Sequence, residues 1–200
     1  GTADCVDPTV FSDDFDDSSW GDWDVVDFSG YGSSDWSMTG NTLMEDDGDA
    51  LTIAIGPDLG SLESYTLTVD AWSGGYYNDA IGFVFAYQDE DDMMMLWWDD
   101  FNGFYGSYYP DGEVELWGYD GSWEYYDSDD DSDACVMDYA TWTEMSLTVD
   151  GRDIYFYVDG DLLFETTVDS SVDTTAGRTG LVSYDNDGGI YYDNYAVTQP

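Results

Sequence analysis

The sequence predicts an all-β domain of sandwich type. Three observations lead there. Apolar and polar residues alternate in short runs along most of the chain, Asp-Gly pairs stand between several of these runs, and no window of useful length carries a 3.6-residue apolar period. Successive side chains of a strand point to opposite faces, so alternation marks a half-buried strand. Asp-Gly marks a tight hairpin, because a type I′ turn needs positive φ at both central residues. With 42% hydrophobic and 18% aromatic residues, a chain of 200 can bury a sizeable core. Sandwiches commonly reach this length as one unit, and residues 1–200 are read as a single domain.

The elements follow in order. Val10 and Phe11 open a first strand that runs towards Phe15. LTIAI at 51–55 alternates, and YTLTVDAW at 65–72 sets Leu67, Val69 and Ala71 on one face. IGFVFAY at 81–87 is almost continuously apolar, the mark of a central strand covered on both sides, and MMMLWW at 93–98 continues in that style. VELW at 114–117 is a shorter run. WTEMSLTV at 142–149, IYFYV at 154–158 and LLFETTV at 162–168 are separated by Asp150-Gly151 and Asp159-Gly160, and predict a three-stranded meander. The last two strands, 178–184 and 190–197, are joined by the turn-rich DNDGG at 185–189. Gly and Asp, both poor helix residues, are spread throughout, which leaves room for a helical turn near 58–64 or 172–175. SDDDSD at 128–133 reads as a loop between strands.

Charge bounds the function. The chain has 46 acidic residues against two basic ones, Arg152 and Arg178, with no histidine, for a net charge of −44. Glutamate occurs eight times, so most of the acids are aspartate. A compact domain with this charge repels itself and must fold among cations. Nucleic acid is excluded as a partner, since two arginines cannot displace the counterions of a phosphate backbone. Anionic lipid is excluded on the same ground. No run of about 18 apolar residues is present to span a membrane, and no basic segment precedes an apolar one as in a signal peptide. Abundant aspartate with no lysine also fits a high-salt habitat, in which case the charge is silent about function.

Cys5 and Cys135 are the two cysteines. A pair so far apart reads as one long-range disulfide in an oxidising compartment, with two free thiols or intermolecular links as alternatives. The acids Asp127, Asp129, Asp131, Asp133 and Asp138 stand at positions 1, 3, 5, 7 and 12 of a calcium-loop spacing. Ser132 replaces the usual glycine, Asp138 replaces the usual glutamate, and strands rather than helices flank the segment. A solvated acidic loop is the competing reading.

FSDDFDD at 11–17, Trp20, Trp23, SDWS at 34–37, AIGFVFAYQ at 80–88, Trp142, LTV at 147–149, YVDG at 157–160, RTGL at 178–181 and YDNYAV at 192–197 succeed one another in an ordered way. This succession resembles the concanavalin A-like (laminin-G-like, thrombospondin C-terminal-like) jelly-roll modules of secreted bacterial or archaeal proteins. The resemblance covers most of the chain. It implies a two-sheet antiparallel jelly-roll sandwich with the first and last strands adjacent. It also implies an extracellular or cell-surface location and a structural calcium where those strands meet. Asp13 or Asp14, Asp193 and a carbonyl of the 46–49 loop, taken as that of Gly48, fall at the matching positions. The catalytic Glu-x-Asp-x-x-Glu strand of the family's glucanases has no counterpart. Glu113-Val114-Glu115 comes nearest and lacks the Asp and the third acid.

Aromatic residues crowd 97–126. Trp97, Trp98, Tyr108, Tyr109, Trp117, Trp123 and Tyr125 are the candidates for an interface or a glycan surface, because alternation must send some of these rings outward in any register. A core of large rings is the plain alternative. Without histidine there is no Ser-His-Asp triad, and with so many acids the closeness of two carboxylates means little. The expectation is a non-catalytic extracellular module that associates with copies of itself or other cell-surface molecules, with calcium as cofactor. The alternative is a lectin-like module that binds polysaccharide.

Overall fold

The computed structural model describes residues 8–17, 19, 21, 23–28, 32–47, 51–74, 80–99, 112–129, 140–184 and 189–200. Among them are fifteen strands and no helix. In chain order these are β1 (Thr9–Asp13), β2 (Asp24–Asp27), β3 (Trp36–Met38), β4 (Leu43–Glu45), β5 (Leu51–Leu62), β6 (Ser64–Ser73), β7 (Ala80–Asp89) and β8 (Asp92–Asp99). They continue as β9 (Glu113–Asp120), β10 (Trp123–Asp129), β11 (Thr143–Asp150), β12 (Asp153–Val158), β13 (Asp161–Thr167), β14 (Ala176–Tyr184) and β15 (Ile190–Thr198).

The strands form two antiparallel sheets packed as a jelly-roll sandwich. One sheet runs β13-β12-β11-β6-β15-β4-β3, with β1 also paired to β15. The other runs β10-β9-β8-β7-β14-β5-β2. First and last strands are therefore neighbours, with Asp13 opposite Tyr195. The predicted meander is β11-β12-β13. Its second turn has positive φ at both Asp159 and Gly160, as type I′ requires. Its first turn differs. Asp150 pairs with Asp153, so Gly151 and Arg152 are the central residues, and only Gly151 has positive φ.

Between the sheets lies the main core, to which β6 contributes Leu67 and Val69, β11 Leu147 and Val149, and β8 Met94, Leu96 and Trp98. Phe83 of β7 meets Phe156 of β12 across it, ring centroids 6.5 Å apart. Three tyrosine hydroxyls are satisfied inside. Tyr192 donates to the Val182 carbonyl (2.9 Å), Tyr195 to Thr179 Oγ1 (2.8 Å) and Tyr65 to the Thr174 carbonyl (3.1 Å). Burial pushes the Tyr65 and Tyr195 hydroxyls far above the usual phenol range, so both remain neutral donors.

A second apolar cluster explains why β7 is buried on both faces. Leu51, Ile53, Ile55, Val84, Met93, Met95 and Val182 occupy the outer face of the seven-stranded sheet. Phe28, just past β2, touches Tyr119 of β9 and Trp123 of β10, with centroids 5.9 and 5.5 Å apart. Strands lie about 4.8 Å apart, so a flat sheet would hold β2 and β10 about 29 Å from each other. The sheet therefore curls, and this outer face is concave.

Three sequence expectations need correction. Residues 58–62 continue strand β5 and only Glu63 interrupts it before β6, so no helical turn forms there. The other candidate is a simple turn in which the Val172 N–H reaches the Asp169 carbonyl (3.0 Å). Asp127–Asp129 is not loop but the end of β10, paired with Val114–Leu116 of β9.

Candidate functional site

The concave face carries the aromatic residues. Alternation on β8 sends Met94, Leu96 and Trp98 into the main core and Met93, Met95 and Trp97 outward. On β9 it sends Val114 and Leu116 inward and leaves Glu115, Trp117 and Tyr119 outside. Register then assembles them. Trp97 lies opposite Glu115, Trp117 opposite Tyr125, and Tyr119 opposite Trp123.

Three tryptophans and a tyrosine surround a recess. Trp97 stacks on Tyr184 of β14, centroids 6.3 Å apart and planes 19° from parallel. Trp97 is also 6.1 Å from Trp117 and 6.4 Å from Trp123, while Trp117 and Trp123 meet edge to face at 89°. With Leu51 these rings line a cavity of about 320 Å³. Glu115 holds two of them in place. Its Oε2 accepts from Trp97 Nε1 at 2.6 Å and from Trp117 Nε1 at 3.1 Å. Both indoles thus have their polar edges satisfied and their faces free to pack. Gly82 of β7 lies opposite Trp97, and a Cβ there would come 2.0 Å from the Leu96 carbonyl oxygen. Glycine is what allows β7 to lie this close to β8 beneath the recess.

No side-chain cation faces the site. Arg178 is held at the other end of β14, where Nη2 pairs with Asp24 Oδ2 (2.7 Å) and Nε donates to the Gly56 carbonyl (2.7 Å). Arg152 donates to the Val168 carbonyl at 3.3 Å. An apolar recess of stacked rings with one fixed carboxylate beside it suits a ligand that offers flat C–H faces and a few polar groups.

Of the predicted interface or glycan residues, Trp97, Trp117 and Trp123 come together here, and Tyr125 packs on the far side of Trp117 at 5.3 Å. Trp98 is corrected: it is 2% exposed and belongs to the main core, because it follows Trp97 on the same strand. Tyr108 and Tyr109 lie outside the described residues. Tyr184 and Glu115 were not anticipated as site residues. Alternation within 178–184 offered a signal for Tyr184, but register against β7 and β8 was needed to place it.

Of the expected calcium positions, Asp13 and Asp14 at the end of β1 and Asp193 of β15 stand where the first and last strands meet. Asp13 Oδ1 accepts from the Phe15 N–H and Oδ2 from Trp23 Nε1, both at 2.8 Å, so each oxygen is engaged. Asp14 Oδ1 caps the Asp16 N–H at 3.2 Å. Burial, opposed by the Asn194 N–H and reinforced by Asp70, Asp16 and Asp14, raises the Asp193 carboxyl above the ordinary carboxylate range. Asp127 ties the two sheets at their edges, its Oδ2 accepting from Thr166 Oγ1 of β13 at 2.5 Å. Asp129 ends β10 opposite Val114. Gly48, Asp131, Asp133, Asp138, Cys5 and Cys135 lie outside the described residues. Among the described residues, no group of three or more acidic or cysteine side chains is placed to hold a metal.

No family model matches this chain, and neither does any curated protein. Solved structures do. A carbohydrate binding module, CBM66 from Bacillus subtilis, is similar with a TM-score of 0.62 at 15% identity over 89% of this chain and 96% of that one. A Bacillus subtilis protein of unknown function with a galectin-like fold matches with a TM-score of 0.69 at 15% identity, covering 96% of each chain. Domain 4 of AbnA, a GH43 extracellular arabinanase from Geobacillus stearothermophilus, in complex with arabinotriose, matches with a TM-score of 0.58 at 15% identity over 96% of this chain and 93% of that one. At these identities the likeness is one of fold. The chain has the fold of the concanavalin A-like jelly-roll modules.

Proposed function

We propose that this protein is a non-catalytic carbohydrate-binding module whose saccharide stacks in the recess formed by Trp97, Trp117, Trp123 and Tyr184. The observation that carries the reading is the recess itself: indole faces held by Glu115 around about 320 Å³ on a concave sheet. Several similar structures are named as carbohydrate-binding proteins, and one was solved with arabinotriose. This supports the saccharide reading over the self-associating structural one. A fibre or sheath contact calls for a broad exposed apolar patch, whereas these rings are half-buried against one another. An extracellular location belongs to the same proposal. No helix of the described residues is long and apolar enough to cross a membrane.

Screening on an array of immobilised glycans tests this. The wild-type protein should show saturable binding to at least one glycan class. Trp117→Ala should weaken it by about 2 kcal/mol, roughly 30-fold, as expected for a central aromatic anchor. A protein that binds no glycan, yet self-associates in light scattering, would restore the structural reading.

A further inference from the structure

Resting on the saccharide reading, we infer that the ligand is a cationic saccharide, one bearing free amino groups such as a glucosamine oligomer, and that Glu115 is the residue that selects it. The recess walls are four aromatic rings and Leu51. An ammonium over an indole face is attracted by the ring quadrupole, most strongly with tryptophan. The charged group that grips the recess is a carboxylate. Glu115 Oε2 takes both indole N–H groups, and no arginine or lysine stands by to neutralise it.

Carboxylates also continue along the same face. Asp99 and Glu113 lie opposite each other two residues beyond Trp97 and Glu115, and the period of two puts all of them on the concave side. Along β9 the rings of Trp117 and Tyr119 thus lie at one end and the carboxylates of Glu115 and Glu113 at the other, with Tyr184 in the row of Asp99 across Ala80. A sugar with an amino substituent matches that order: its C–H face stacks on the indoles while its ammonium reaches Glu115 or the next acid. A uronic or sulfated saccharide is rejected by the same groups, since like charges brought together cost binding energy.

A chain of net charge −44 attracts any cation at long range, so the test must separate contact from diffuse attraction. Glu115→Gln changes one charge among 46 acids and leaves that diffuse field in place. Calorimetric titration would use the glucosamine trisaccharide, its fully N-acetylated counterpart and a uronate trisaccharide, at moderate salt and a pH where the amine is protonated. Wild type should bind the glucosamine trisaccharide about tenfold more tightly than the acetylated one, and the uronate not at all. Glu115→Gln should close most of that gap. Trp117→Ala should weaken neutral and cationic ligands alike, by roughly 30-fold.

Equal or tighter binding of the acetylated trisaccharide overturns the inference while leaving the saccharide reading standing. An unchanged preference in Glu115→Gln also overturns it, because the attraction would then be diffuse. Failure of the glucosamine and acetylated trisaccharides alike, in the wild type, overturns the inference, and the saccharide reading itself is then decided by the glycan array.

Discussion

Trp97 and Trp98 are adjacent, chemically identical and opposite in role. One faces the concave recess, the other is 2% exposed in the main core. A strand's period of two forces this division. Trp98→Ala should therefore cost about 4 kcal/mol of stability by leaving a large cavity, with saccharide affinity unchanged in the protein that remains folded. Urea unfolding paired with a binding titration checks both halves. The sequence made the pair conspicuous but could not choose between them, because alternation fixes that the two faces differ and not which face is inside. Choosing needs the partner sheet. For the same reason Glu115 was read only as a poor match to a glucanase motif, although its contacts with Trp97 and Trp117 make it the hinge of the site.

At the scale of elements, the long alternating runs were legible and the short ones were not. The β11-β12-β13 meander, β7 with both faces covered over residues 80–87, and the terminal strand β15 all follow from pattern and turn residues. β2, β3 and β4 are three or four residues long and are held by pairing, β2 to β5, β4 to β15 and β3 to β4, which no local pattern reveals. β10 escaped because a bulge between Tyr125 and Asp127 breaks its alternation and because its acidic end resembled a loop. That acidic end has a structural task. Asp127 accepts a hydrogen bond from Thr166 and clips the edge of the curled sheet to the edge of the other. Thr166→Val keeps the shape and removes the donor, and should destabilise the protein by about 1.5 kcal/mol. A shifted urea midpoint with an unchanged slope is the expected result, since the compactness of both states is preserved.

For the whole molecule, the governing fact is −44 charges on a folded sandwich. Two carboxyls feel part of this repulsion on top of the larger effect of burial. Asp92, through burial and the neighbouring Asp120, Asp89 and Asp173, and Asp193, through burial and Asp70, Asp16 and Asp14, are both raised above the ordinary carboxylate range. A raised carboxyl binds its proton more readily in the folded state than in the unfolded one. Stability is therefore gained as pH falls through the folded value, is fully present below the unfolded value, and is lost as pH rises. The melting temperature at low salt should thus increase as pH is lowered from neutral towards the ordinary carboxylate value of 3.8. The increase should shrink in concentrated sodium chloride, which screens the same repulsion. A calcium site near Asp14 and Asp193 remains a separate proposal. It calls for a larger upward shift in millimolar calcium than in sodium chloride of equal ionic strength, and equal shifts would assign the effect to screening alone.

Occupation of the concave recess by a saccharide can be read from the tryptophan indole N–H signals by NMR while the glycan selected on the array is added. Trp97, Trp117 and Trp123 line the recess, whereas Trp36 bonds Thr52 Oγ1 inside the sandwich and Trp23 bonds Asp13 near the terminal strands. The indole signals of Trp97, Trp117 and Trp123 should shift in proportion to occupancy while those of Trp23, Trp36 and Trp98 stay in place. Shifts confined to Trp23, with the recess indoles unmoved, would contradict it and move the site to the junction of the first and last strands.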